Sequence, residues 1–588
     1  MKYIRNFSII AHIDHGKTTL TDCFLRLTGA VDPLNFHERH MDSNPIEQER
    51  GITIKLAPAR MDYKGYILNL IDTPGHVDFG YEVSRSLAAC EGVLLVVDAT
   101  QGIQAQTLSN FEQARALGLV VIPVVNKVDL QSAETERVCL EIMELCSCEE
   151  SDILLVSAKS GLNVAQVLDA VIERIPPPEG NPEAELRALL ITSHFDTHRG
   201  AVAMVRVVDG SLAKEKLYLL AGQISFTPLE LGVFKPSMQP CQILRAGEVG
   251  YIATGLKDVR ALKIGDTVTA ASRKATAILP GFREPQPMVY MEVYPTDSAE
   301  FTLLQDAISK LALRDAALQY TGAHSVALGS GLRVGFLGIL HAEIVLERLD
   351  REFNLSMIAT MPSVTYKVTL THGAEQIVHT PAEMPDPSHI KEIKEPIASV
   401  HMFTPKEYMG DILNLVRERR GELLQSYPVG QRMTLECKIP LAELITDFHD
   451  VLKSLTSGYA SMEYEISSFV PVDAVKVSVL LNHEVVEALS FISVRERAEF
   501  QGRQIVQKLK EALPRQLFEV PIQAAIGGAV IARETLKAYR KDVTAKLYGG
   551  DVTRRKKLLS KQAKGKKKMK QFGKVEVGQD TFLAILKR

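Results

Sequence analysis

Tryptophan is absent from the 588-residue chain, cysteine is scarce with seven residues, and aromatic side chains make up only 6%. The missing tryptophan excludes nothing by itself. The sparse cysteines exclude a disulfide-built scaffold, which needs dense cross-links and an oxidising compartment. They stand at Cys23, Cys90, Cys139, Cys146, Cys148, Cys241 and Cys437, and are expected to be reduced thiols. The one close pair, Cys146-Ser147-Cys148, lacks the two-residue gap of a zinc knuckle. No apolar run approaches the ~18 residues that cross a bilayer. A strand-like run begins within a few residues of the N-terminus, and no signal-peptide pattern precedes it. The expected compartment is the cytoplasm.

What is present is a large chain with two electrostatic characters. At 588 residues it is too long for one core, so four or five domains are expected. Hydrophobic content of 46% and charged content of 24% suit a globular protein. The net charge of −3 hides an asymmetry: residues 533–574 carry 16 Lys/Arg against Glu534, Asp542 and Asp551, or +13, leaving −16 for the rest. One end is a polyanion-seeking segment on an acidic body.

The first 180 residues repeat strand then helix. Uniformly apolar runs at Phe7–Ala11, Ile67–Ile71, Gly92–Val97, Val120–Val125 and Ile153–Val156 alternate with helix-like stretches such as Lys17–Thr28 and Gln104–Leu117. This pattern predicts a parallel sheet with helices on both faces. Ligands of such sheets bind at the C-terminal strand ends, and each motif found lies at one.

The first motif is Ala11-x4-Gly16-Lys17-Thr18, close to the phosphate-cradling Gly-x4-Gly-Lys-Ser/Thr. Backbone N–H groups and a helix N-terminus would hold the phosphates. Lys17 would reach the β- and γ-phosphates, and the Thr18 hydroxyl would hold Mg²⁺. Ala11 departs from the usual first glycine; Gly16, where backbone must approach phosphate, is kept. The second motif is Asp72-Thr73-Pro74-Gly75-His76. Asp72 would reach Mg²⁺ through water, the Gly75 N–H would bond a γ-phosphate, and His76 would orient the attacking water. The third is Asn126-Lys127-Val128-Asp129. The Asn126 amide can read the guanine edge and a carboxylate at Asp129 can accept from its N1 and N2 donors, a pair adenine lacks, so the motifs taken together point to a guanine nucleotide. Ser157-Ala158-Lys159 would back that base. Between Pro33 and Ile54, the stretch ending Arg50-Gly51-Ile52-Thr53-Ile54 reads as a switch, with Thr53 closing on Mg²⁺ when a γ-phosphate is present.

Together, "RGITI", "DTPGHVDF" and "NKVD" resemble the translational GTPase superfamily, which includes elongation factors Tu and G. The resemblance implies Mg²⁺-dependent GTP hydrolysis that is slow until a ribosome stimulates it. It places Asp14, His15, Gly16, Lys17, Thr18 and Thr19 at phosphate and magnesium, Thr53 and Asp72 at Mg²⁺, and His76 at the water. Whether His76 acts as base or as electrostatic positioner stays open.

Past the Pro-rich linker Ile175–Leu186, residues 187–280 alternate apolar and polar positions between Gly and Asp turns and predict a β-barrel. It resembles domain II of translation factors, punctuated by Arg199-Gly200 and Gly265-Asp266. Residues 339–353 place apolar side chains at helical spacing with charges opposite and predict a helix, and residues 284–365 resemble the third domain of elongation factor G, where His341 and Glu343 sit on a packed helix rather than in a catalytic site. Residues 394–480 resemble its fifth domain. Only about thirty residues separate the two, so the fourth domain, the arm used in forward translocation, is missing. Residues 481–588 form a basic α+β C-terminal domain whose end resembles the hallmark tail of the elongation factor 4 (LepA) family. The expected fold is therefore multidomain α/β and β: a P-loop GTPase domain (1–180), a β-barrel, two α+β sandwich domains and the basic C-terminal domain. Arg554, Arg555, Lys556, Lys557, Lys561, Lys564, Lys566, Lys567, Lys568 and Lys570 are the expected RNA contacts. The resemblance implies a bacterial fidelity factor that binds the 70S ribosome and tRNA and moves tRNAs back by one codon. A ribosome-biogenesis or initiation-stage GTPase, and a GTP-binding protein on an anionic membrane surface, stay open as alternatives.

Overall fold

The computed structural model describes the chain outside residues 13, 32–39, 42–45, 47–48, 50–55, 73–79, 197, 258–260, 276, 280–286, 313–314, 316, 326–327, 430–431, 458, 515–517, 540–552, 554–555, 558 and 562–588. It forms two compact units, one of residues 1–286, 310–317 and 398–466, the other of residues 287–309, 318–397 and 467–588.

The first unit starts with a sheet of six strands: β1 (Ile4–Ala11), β2 (Ala57–Tyr63), β3 (Tyr66–Asp72), β4 (Gly92–Asp98), β5 (Val120–Asn126) and β6 (Leu154–Leu155). Their order is β2-β3-β1-β4-β5-β6. Five strands are parallel, and β2 pairs antiparallel with β3 at the edge, an addition to the parallel sheet expected. Pro58, which has no N–H to donate, is tolerated there because an edge strand leaves one side unpaired. The helices are α1 (Lys17–Leu27), α2 (Gly80–Ala88), α3 (Ala105–Ala116), α4 (Thr135–Cys146) and α5 (Val164–Arg174). Strand β4 shows why its sequence is uniformly apolar. Leu94 and Val96 join one buried cluster with Phe24 and Val167, while Val93, Leu95 and Val97 join another with Phe111 and Val138. Both faces are covered along Val93–Val97, so none of those positions is left for a polar side chain. Each such side chain stabilises the fold by about 1.5–3 kcal/mol.

The next part of the unit is an eight-stranded antiparallel sheet whose central hairpin is Arg187–Asp196 and Gly200–Asp209. The dipeptides noted in the sequence have physical roles. Gly200 turns with φ +71°, and a Cβ there would lie 2.6 Å from Leu256 O. The buried Asp266 carboxylate accepts the Ala221 and Gly222 N–H groups, each at 2.8 Å. This sheet docks on the six-stranded sheet through an apolar cluster of Ile71, Cys90, Val202, Met204 and Tyr251. Around that cluster, Arg206 pairs with Glu91, and Arg60 with Glu248 at 3.0 Å.

The unit is completed by strands Glu422–Val429 and Arg432–Pro440 with helices Met409–Glu418 and His449–Leu455, packed around Val400, Leu415, Leu435 and Phe448. From the following strand, Ser461 Oγ donates to Gln104 Oε1 at 3.1 Å. In the second unit, helix Ile339–Phe353 has the bounds its periodicity predicts, and its buried His341 accepts the Leu337 N–H at 3.1 Å. That places His341 in packing, as expected. Helix Arg495–Ala512 covers a sheet of Ala474–Leu481, Val520–Ile526 and Ala529–Leu536 with a core of Val477, Val506, Leu509 and Ile522.

Glu463 faces Ser109 of α3, and its Oε2 is buried without a hydrogen-bond partner among the described residues. Burial, aided by Glu465 and opposed by the Ser109 hydroxyl, pushes its carboxyl up to about 7 from the ordinary 4.5. The folded state thus binds a proton that the unfolded chain has released. Stability from this site is present below the ordinary value and is lost as pH rises through about 7. Glu463→Gln is expected to flatten the dependence of melting temperature between about pH 5 and about pH 8, and to melt higher than wild type at the upper end. An unchanged pH profile would contradict the assignment.

Candidate guanine-nucleotide site

Four of the parallel strands end at one edge of the sheet, and their following loops meet there. After β1, Asp14 (φ +62°) and Gly16 (φ +93°) take left-handed backbone, and Gly16 caps the N-terminus of α1. Gly16 is required twice over. Its backbone is of the kind L-residues avoid, and a Cβ would stand 2.3 Å from Asn126 Nδ2. Asn126, at the end of β5, donates from Nδ2 to His15 O at 2.9 Å and accepts the Ala158 N–H on Oδ1 at 2.9 Å. One side-chain amide therefore joins the loops after β1 and β6. Lys127 (φ +65°) donates to Asp14 O at 2.6 Å and pairs with Asp98 Oδ2 at 2.7 Å.

The remaining predicted residues fall around these contacts. Lys17 Nζ lies 3.2 Å from Asp72 Oδ1, with both residues buried. Neither of these atoms nor Asp72 Oδ2 has a hydrogen-bond partner among the described residues. Thr18 is half-buried, while Asp14 and Thr19 are exposed beside it. The Val128 N–H donates to Val156 O at 3.3 Å, and the Asp129 side chain is exposed. Ser157 and Ala158 are buried, and Lys159 is exposed. His15 is fully buried, and its Nδ1 accepts the Asp98 N–H at 3.3 Å. Burial first, and then His12, pull it down to about 3, so the ring is neutral. Thr53, Gly75 and His76 lie outside the described residues, as do Arg554, Arg555, Lys564, Lys566, Lys567, Lys568 and Lys570. Lys556, Lys557 and Lys561 are helical and exposed.

Sequence reading missed two contributors. Asp98 closes β4, and its Oδ1 accepts both the N–H and the hydroxyl of Thr100, at 2.7 and 2.8 Å. Burial would raise its carboxyl, but Lys127 and Thr100 outweigh burial and hold it below the usual carboxylate range. The available signal was an acid at the end of an otherwise apolar run. Cys23 of α1 donates to Ala158 O at 2.8 Å, for which the sequence carries no signal.

The arrangement has the chemistry of a nucleotide site. A buried ammonium, a buried carboxylate without hydrogen-bond partners among the described residues and a helix N-terminus converge on a glycine turn, which suits phosphate and a divalent cation. Residues 2–177 match the family model of the elongation factor Tu GTP binding domain, 392–480 that of the elongation factor G C-terminus, and 481–587 that of the GTP-binding protein LepA C-terminus. The elongation factor 4 of Syntrophomonas wolfei is 50% identical over 592 residues, spanning 100% of this chain and 99% of that one. The chain belongs to the elongation factor 4 family. The elongation factor 4 of Thermus thermophilus is 51% identical, spanning 99% of this chain and 97% of its own. A crystal structure of a Thermus thermophilus protein shares the fold, with a TM-score of 0.57 at 19% identity over 80% of this chain and 98% of that one. As an elongation factor 4 family member, the chain is a GTPase of the translation machinery, and GTP is its nucleotide.

Gly16→Ala tests the cradle. Left-handed strain of about 1–2 kcal/mol adds to the clash with Asn126, so GDP affinity is expected to fall by about tenfold or more in a binding titration. Affinity equal to wild type would mean the loop relaxes freely.

Proposed function

We propose that the chain is a ribosome-stimulated GTPase that moves tRNAs back by one codon on improperly translocated ribosomes, and so acts as a fidelity factor in the cytoplasm. The observation that carries this reading is one chain holding both the strand-end nucleotide site and the basic segment 533–574, with 16 cations. The body supplies a GTP-dependent switch, and the segment supplies a surface for tRNA and rRNA phosphates. Five domains, at 1–180, 187–280, 284–365, 394–480 and 481–588, belong to this reading.

In it, the 14–19 backbone and Lys17 bind the phosphates, and Thr18, Asp72 and Thr53 hold Mg²⁺. The Asp72 carboxylate, whose oxygens accept no hydrogen bond among the described residues, supports the fit of such an ion. When bound, Mg²⁺ neutralises charge developing on the β- and γ-phosphates. Asn126, Lys127 and Asp129, backed by Ser157–Lys159, hold guanine. Gly75 senses the γ-phosphate, and His76 positions the attacking water. Chemistry of this kind is mostly positioning and electrostatics.

His76→Ala is expected to keep GTP affinity and to lose about a hundredfold or more of ribosome-stimulated hydrolysis, measured as phosphate release. Turnover within a few-fold of wild type would contradict the role of His76. Replacing Lys566, Lys567 and Lys568 by Ala is expected to lower the slope of log ribosome affinity against log salt by about two to three. An unchanged slope would place those lysines away from phosphate. Scoring tRNA position on 70S ribosomes in the same reactions tests the direction of movement. GTP hydrolysis without backward movement would shift the reading to ribosome biogenesis or initiation, and flotation with anionic vesicles alone would shift it to a membrane surface.

A further inference from the structure

The turn after Asp98 is clamped from both sides. Beneath it, Glu141 Oε2 of α4 accepts the Ile103 N–H at 3.2 Å, and Arg137 pairs with the same carboxylate. Gly102, at φ +72°, is packed so closely that a Cβ would stand 2.6 Å from that Oε2. Above it, Arg432 from strand Arg432–Pro440 donates to Gln101 O at 2.7 Å and to Ile103 O at 3.2 Å. Its guanidinium lies 5.4 Å from the ring centroid of Phe403. Phe403 itself packs in the cluster that contains Ile103, Val97 and Phe111.

The turn is short and internally bonded. Asp98 O accepts the Gly102 N–H at 2.9 Å, and Asp98 Oδ1 holds Thr100. The Ala99 N–H donates to Asn126 O at 2.9 Å. Asp98 Oδ2 is the anion that fixes Lys127. Lys127 is thus tied to Asp98, Asp98 to Thr100 and Gly102, and Arg432 to Gln101 and Ile103, with the covalent backbone of the 98–103 turn joining these contacts. Burial, aided by Arg137 and opposed by Glu141, lowers the basicity of the half-buried guanidinium, whose hydrogen bonds go to the two carbonyls.

We propose that Arg432 is a positioning residue for guanine-nucleotide binding: by gripping the 98–103 turn it couples the elongation factor G C-terminus-like region to the Asp98–Lys127 pair. The coupling is reciprocal, so bound nucleotide also tightens the strand that carries Arg432.

The test uses the full chain and GDP, without ribosomes, so it is independent of what happens to tRNA. Arg432→Ala is expected to weaken GDP affinity by about fivefold or more, with Arg432→Lys, which keeps one donor head, falling between it and wild type. In the wild-type protein, GDP is expected to slow hydrogen exchange of the 432–440 strand amides, an effect that passive packing alone would not give. GDP affinity of Arg432→Ala within twofold of wild type would overturn the proposal. Should that variant fail to fold, unchanged exchange in the wild-type strand on adding GDP would overturn it equally.

Discussion

The nucleotide site hangs on the side-chain amide of Asn126. An amide is the smallest side chain offering a donor and an acceptor from one planar group, and here each is used on a different loop. His15 O receives the donor, and the Ala158 N–H meets the acceptor. Both backbone groups sit where water is excluded and would be costly to leave unpaired. The parallel sheet makes this possible by delivering the ends of β1, β5 and β6 to one edge. Gly16 completes the fit, since only a residue without a Cβ leaves room for the amide.

Charge is then sorted around that joint. Lys17 and Asp72 face each other in a buried pair whose remaining hydrogen-bonding capacity suits phosphate on one side and a divalent cation on the other. A second pair, Asp98 and Lys127, lies at the ends of β4 and β5, where Lys127 also reaches the loop after β1. His15, fully buried against the Asp98 backbone, stays neutral and adds no competing charge. Two cations and two anions thus stand in separate pairs.

Much of this was legible in the sequence because the relevant constraints are local. Uniformly apolar runs mark strands buried on both faces, and Gly16-Lys17-Thr18 marks a turn entering a helix; α1 starts at Lys17 as read. Helix Ile339–Phe353 was legible from its periodicity alone. Strand β2 was not read, although Ala59-Arg60-Met61-Asp62-Tyr63 alternates; the run is short and follows Pro58, and the strand is held by edge pairing with β3. Asp98 was missed because an acid closing a strand carries no spacing signature, and its value comes from Lys127, 29 positions away. Arg432 is the extreme case: its carbonyl partners are 329 and 331 residues distant, so only the fold brings them together.

The most direct test of the central claim is the equilibrium affinity of full-length Asn126→Ala for GDP and GTP, measured by calorimetry beside wild type. Losing the amide releases two loops at once and leaves a buried carbonyl and N–H unpaired, each costing about 1–3 kcal/mol. Both nucleotides are expected to lose affinity together, by about thirtyfold or more. Affinities within a few-fold of wild type would show that the loops are held by something else and would contradict the role of Asn126.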